Sequence, residues 1–168
     1  MSPIPTTTAT VSGCGAETRS YSLRLYFVDA PETNLRYPDR TREQAEHYGI
    51  TLDEALNAGR AARDLVRAML KEPFTVWTRW ASAAGRGAEP RYYAFILVGE
   101  QALDELLVAK GLAQPKGIRP NLPTGEKAAD HQKKLEALQA EARKQKAGAW
   151  ATSTRTDLPK EAPEGEGK

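Results

Sequence analysis

Leu23-Arg24-Leu25-Tyr26-Phe27-Val28-Asp29-Ala30-Pro31-Glu32-Thr33 is the run from which the rest of this chain can be read. Together with Tyr21 before it, Leu23, Leu25 and Phe27 alternate onto one face, the period-2 pattern of a half-buried strand over 19–28. Pro31 ends that strand, because proline donates no ladder hydrogen bond and restricts the residue before it. An arginine thus projects from a strand, an aspartate sits at its end, and a glutamate follows three residues on. A hard cation such as Ca²⁺ takes about 6–8 oxygens, and Asp29, the carbonyl of Ala30 and Glu32 could supply part of such a shell. A guanidinium beside them is suited to bidentate phosphate binding. The same spacing also fits a strand that merely ends in a capped turn, so the remainder of the chain has to decide.

Outward from this run the pattern is α+β. Thr51-Leu52-Asp53-Glu54 is a capping box opening a helix to about Leu70, with Leu52, Leu56, Gly59, Ala62, Val66 and Met69 as its inner stripe. Residues 74–80 and 91–98 read as strands, the second followed by a tight turn at Gly99-Glu100. Asp104 is expected to cap a short helix that stops at Gly111, a left-handed position after the C-cap. A last helix over 128–147 sets His131, Leu135, Leu138 and Ala142 on one face; Gly148 closes it and Trp150 folds back as an anchor. His47 reads as a C-terminal cap at a helix end. The organisation expected is an irregular segment over 1–18, one folded domain over 19–151 and a disordered tail over 152–168, which holds one large apolar residue, Leu158.

Composition bounds the function classes. The chain has 168 residues, 40% apolar and 27% charged, enough for one core without disulfides or a structural metal. Its single cysteine, Cys14, has no partner for an internal disulfide, and no Cys/His cluster shows zinc spacing. No apolar run approaches the ~18 residues of a membrane span. A formal charge of +2 neither demands nor forbids nucleic acid, but residues 110–146 hold nine basic against four acidic side chains. That segment is either a backbone-tracking patch for single strands or a solvated helix face. The first residues show no signal-peptide pattern, which fits a cytoplasmic protein, or a secreted or periplasmic one if the N-terminus is incomplete.

The run 23–33 resembles the signature of the staphylococcal nuclease (thermonuclease) family: arginine, four apolar residues, Asp, a small residue, Pro, Glu, Thr. The resemblance continues through Arg91-Tyr92-Tyr93-Ala94-Phe95-Ile96-Leu97-Val98, through the helix ending at Gly111-Leu112-Ala113, and through 141–150 with its closing Trp150. It implies an OB-type five-stranded β-barrel, first strand missing or replaced, flanked by three helices. It further implies Ca²⁺-dependent hydrolysis of DNA and RNA, single strands preferred, to 3′-phosphate products. By the same resemblance Arg24 and Arg91 are the phosphate-binding catalytic arginines. Asp29, the Ala30 carbonyl and Glu32 are metal-site residues, and Glu32 is the general base or the residue that orders the attacking water.

Two departures qualify that expectation. An early Asp-Gly-Asp-Thr-like run, whose second aspartate ligates calcium in the family, is replaced here by Thr7-Thr8-Ala9-Thr10-Val11, with no carboxylate before Glu17. Calcium binding is therefore expected to be weak or absent, and an open barrel edge could pair with a partner. An alternative follows: a catalytically impaired module that binds nucleic acid or protein. In the loop 114–121 the family can present tyrosines that stack on a nucleotide; Lys116 and Arg119 stand here as candidate substrate-binding residues. The additional residues 34–49, with Arg36, Arg40 and Arg42, either line the cleft or cover the barrel. His131 reads as a packed histidine, and Trp77 and Trp80 as core or rim.

Overall fold

The computed structural model describes residues 7–12, 18–83 and 91–155, with the backbone alone for 7–12 and 18–20. In chain order the elements are β1 (Thr7–Ser12), β2 (Thr18–Leu25), α1 (Pro38–Tyr48), α2 (Leu52–Met69), β3 (Phe74–Ser82), β4 (Arg91–Val98), β5 (Gln101–Ala102), α3 (Leu103–Ala109) and α4 (Ala128–Lys144). A 3₁₀ turn at Gly148–Trp150 follows.

The sheet runs β1-β2-β4-β3. β2 pairs antiparallel with β1 and parallel with β4, Arg24 lying opposite Tyr93. β3 pairs antiparallel with β4, Trp77 opposite Phe95, and β5 adds to the end of β4 that β2 leaves free. Strand alternation then sorts the side chains. Leu23, Leu25, Ala94 and Ile96 turn into the core, where Val66, Leu103, Leu107 and Leu135 meet them. Arg24, Arg91, Tyr93 and Phe95 occupy the opposite face. A smaller cluster of Tyr48, Ala58, Ala142, Ala149 and Trp150 joins α1 and α2 to the end of α4. Trp150 is the expected anchor, its ring 4.7 Å from that of Tyr48.

The mixed α+β, OB-type arrangement is as the sequence implies, with several differences. The opening strand is replaced in sequence but present: Thr7–Ser12 is a strand, where 1–18 was expected to be irregular. Its threonine-rich run lacks apolar alternation, yet β-branched threonine suits an extended strand. The expected barrel is an open sheet among the described residues, with β1 and β3 at its edges and β5 only two residues long. Among the described residues there are four α-helices, not three, because residues 38–48 form α1. Leu52 is 38% exposed and leaves the inner stripe of α2. Asp104 caps nothing, since α3 starts after Ala102 and the Asp104 carboxylate turns inward to His131. Of the tail expected to be disordered, Thr152 to Arg155 are described, and Thr154 N donates to Gly49 O at 2.9 Å. Residues 156–168, Cys14 and Glu17 lie outside the described residues. No helix among the described residues is long and apolar enough to cross a membrane.

Candidate active site

β2 ends at Leu25 because the chain turns at Phe27, whose φ of 65° is a left-handed conformation that no strand tolerates. Two ties fix the departing segment. Phe27 N donates to Ile118 O at 3.0 Å, and Asp29 forms an isolated antiparallel bridge with Gln114, with bonds of 3.0 and 2.9 Å. The turn that follows rests on α2 at Gly59. A Cβ there would lie 2.2 Å from Glu32 O and 2.6 Å from Pro31 O, so only glycine admits this approach. Asp29, Ala30 and Glu32 are all buried.

α1 covers this turn with a polar stripe. Thr41, Gln44, Ala45 and Tyr48 face inward. Gln44 is its hub: Oε1 accepts from Glu32 N at 2.9 Å, while Nε2 donates to Ala30 O at 3.0 Å and to Asp29 Oδ2 at 3.2 Å. Gln114 Nε2 adds a contact to the same Asp29 oxygen at 3.4 Å. Arg40, one turn earlier, straddles both carboxylates, its Nε donating to Glu32 Oε1 at 2.8 Å and its Nη2 to Asp29 Oδ1.

Arg24 and Arg91 share the sheet face opposite Leu23 and Leu25, Arg91 opposite Ser22 and Arg24 opposite Tyr93. The Arg24 guanidinium lies 5.7 Å from the Tyr93 ring centroid, and its Nη1 is buried without a hydrogen-bond partner. Arg91 is buried, and its side chain makes no hydrogen bond or ion pair among the described residues. Burial raises the pKa of Glu32 above the ordinary carboxylate value; Arg40 and then Arg24 oppose the rise, and the Asp29 charge adds to it. Arg24 thus lies close enough to act on the Glu32 charge, and among the described residues neither the Arg24 nor the Arg91 guanidinium is paired with a carboxylate. Such groups bind an oxyanion, and a desolvated carboxylate beside them can take a proton.

Lys116 and Arg119 are exposed on the loop tied to Phe27. Lys116 lies close enough to His47 to reinforce the lowering of that imidazole's pKa, which burial causes in the main. His47 stands in the last turn of α1, bonded to Gln139 at 3.3 Å. Among the arginines of 34–49, Arg40 alone reaches the carboxylates. Arg42 pairs with Asp39 on the surface, and Arg36 is exposed over Tyr37. Trp77 lies beside Tyr26, Arg79 and Phe95 in a shallow cleft, and Trp80 is a rim residue, 56% exposed.

The oxygens that the sequence resemblance assigns to calcium do not fit that ion. Asp29 Oδ1 and Glu32 Oε1 are held by Arg40, and Asp29 Oδ2 and Ala30 O by Gln44. A Ca²⁺ shell needs several oxygens free of competing donors. Among the described residues no group of three or more His, Cys, Asp or Glu side chains converges to hold a metal. Gln44 and Gln114 were not assigned to this site from sequence, and Arg40 takes the cleft-lining alternative of the two left open for 34–49. The signal was the spacing 41, 44, 45, 48 between Pro38 and Gly49, a helical stripe written in polar residues.

Comparison with known proteins gives one family. A family model described as staphylococcal nuclease homologue matches residues 22–152, which is most of the chain and includes both arginines and the 29–32 turn. No curated protein matches.

Proposed function

The chain belongs to the staphylococcal nuclease homologue family, and from that premise we propose that it hydrolyses phosphodiester bonds of single-stranded DNA or RNA, leaving 3′-phosphate products. The observation that carries this reading is Arg24. Its buried Nη1 lacks a partner, and it shares a sheet face with Arg91 beside the raised-pKa Glu32. An unpaired buried guanidinium N–H is unfavourable unless an anion completes it.

In this reading Arg24 and Arg91 grip the non-bridging oxygens of the scissile phosphate. Glu32 takes a proton from water as the water oxygen bonds to phosphorus. The bond from phosphorus to the 5′ oxygen breaks, and that oxygen gains its proton from solvent. Cationic donors fixed in advance stabilise the charge that grows on the phosphoryl oxygens without reorganising. The raised pKa of Glu32 makes it a better base, since proton affinity closer to the working pH favours transfer. Lys116, Arg119 and the basic 110–146 segment extend the contact along the strand backbone. Family members generally use Ca²⁺; no step here is assigned to it, because the oxygens expected to hold it are engaged.

The test is release of acid-soluble nucleotides from heat-denatured DNA, in Ca²⁺ and in EDTA, by the wild type, Arg24→Ala, Arg91→Ala and Glu32→Gln. Glu32→Gln is expected to lower kcat by about 10²–10⁴-fold, the usual worth of a general base. The acid limb of kcat/KM is expected above the ordinary glutamate pKa, in the direction of the burial shift. A second reading, the non-catalytic binding module, is favoured by Arg40 holding both carboxylates. Oligonucleotide binding without cleavage under every condition would establish it and dismiss the first.

A further inference from the structure

We propose that Arg40 is the resident cation of this cleft, standing where the family's divalent ion would be, so that the site binds phosphodiester without metal and excludes Ca²⁺. For the phosphate the inference rests on the reading above, but for the cation it rests on geometry alone.

Arg40 lies in the first turn of α1, where a positive charge opposes the helix dipole. Its position is explained by what it touches. Nε reaches Glu32 Oε1 at 2.8 Å and Nη2 reaches Asp29 Oδ1, so one planar group bridges two carboxylates that are 6% and 4% exposed. Without it, two buried carboxylates of one turn would face each other unpaired, which is strongly unfavourable. Elsewhere that problem is answered by a metal ion; here the chain carries its own charge on an added helix.

The remaining oxygens are closed to calcium as well. Gln44 fills Ala30 O and Asp29 Oδ2, and Gln114 reaches the latter. An entering dication would have to break these bonds and then lie against a displaced guanidinium. Arg24 adds a second positive charge close enough to act on Glu32, and with Arg40 it offsets the two carboxylates, so a phosphate does not meet a net negative site. The Arg40 side chain is 18% exposed, and its Nη1 makes no bond among the described residues, so that edge of the fork is available to an oxyanion.

Calorimetric titration of the wild type, Arg40→Ala and Arg40→Lys with CaCl₂ tests this, with Tm followed alongside. Fluorescence anisotropy of a labelled oligothymidylate in EDTA supplies the second readout. The wild type is expected to give no saturable heat and no Tm shift up to about 10 mM Ca²⁺, above the range of even weak protein calcium sites. It is expected to bind the oligonucleotide equally in EDTA and in Ca²⁺. Arg40→Ala is expected to lose at least tenfold in EDTA affinity and to gain a Tm increase on adding Ca²⁺. Arg40→Lys, which keeps the charge but not the fork, is expected to fall between them. Saturable Ca²⁺ binding by the wild type overturns the proposal whether or not the variants fold, as does oligonucleotide binding that EDTA abolishes. Absence of cleavage in a wild type that ignores Ca²⁺ removes the nuclease reading and leaves the resident cation standing.

Discussion

Replacing Gln44 with leucine removes the group that ties α1 to the 29–32 turn, and the structure allows the loss to be sized. Three bonds disappear: Glu32 N to Oε1 at 2.9 Å, Nε2 to Ala30 O at 3.0 Å, and Nε2 to Asp29 Oδ2 at 3.2 Å. The third is partly covered, because Asp29 retains Arg40 and Gln114. The first two leave a buried N–H and a buried carbonyl with no other bond among the described residues. Each such orphan costs about 1–3 kcal/mol. Leucine returns some of this through apolar burial, so the net expected loss is about 2–4 kcal/mol. Urea unfolding followed by tryptophan fluorescence measures it. With a slope of about 1–3 kcal/mol/M, the midpoint is expected to fall by about 1–2 M at an unchanged slope. Gln44→Glu serves as a control. It keeps the acceptor for Glu32 N but turns a second carboxylate toward Asp29, so it is expected to be worse than leucine at neutral pH and to recover on acidification. Gln44→Leu within about 0.5 kcal/mol of the wild type would refute the claim that α1 is held through this amide.

Gly59→Ala is expected to impair the site more than the fold. The new Cβ meets Glu32 O at 2.2 Å and must push the turn away. Overpacking of about 1–3 kcal/mol is offset by about 1 kcal/mol of improved helix propensity. Oligonucleotide affinity or turnover falling no further than stability does would contradict the placement of Glu32 by this contact. His131 gives a pH prediction. It is fully buried; that burial lowers its pKa, but the Asp104 bond at 2.7 Å and the Asp104, Glu126 and Glu105 charges outweigh it, and the net shift is upward. A raised folded pKa stabilises the protein fully below the unfolded value of about 6.5 and loses that contribution as pH rises through the folded value. The stability difference between wild type and Asp104→Asn is therefore expected to shrink as pH rises above about 6.5; a difference that grows instead would reverse the assignment of a charged His131.

Local chemistry made much of this molecule legible in advance. The capping box at Thr51 and Glu54 is present as read, Thr51 Oγ1 accepting from Glu54 N at 3.3 Å and Thr51 N donating to Glu54 at 2.8 Å, because every atom involved lies within four residues. The alternation of 21–25 and the apolar run 91–98 made strands for the same reason, and Gly111 terminates α3 with a φ of 65°. The elements that escaped are those whose logic lies elsewhere in the chain. α1 was legible only at its end, where His47 precedes Gly49, because its inward stripe is mostly polar, and such a stripe is intelligible only once Asp29 and Glu32 are known to lie beneath it. Asp104 was misread as a cap because its partner is 27 residues away on α4.

Residue order and short-range backbone preference suffice to give the family, the strand that carries Arg24 and the turn that carries Asp29 and Glu32. What those carboxylates face is set by long-range packing. Whether a buried negative charge meets a metal ion or a guanidinium depends on which distant helix packs over it, and here α1 brings Arg40 across to both. Charges in a low-dielectric interior must be compensated at contact distance, and contact distance is a property of the fold.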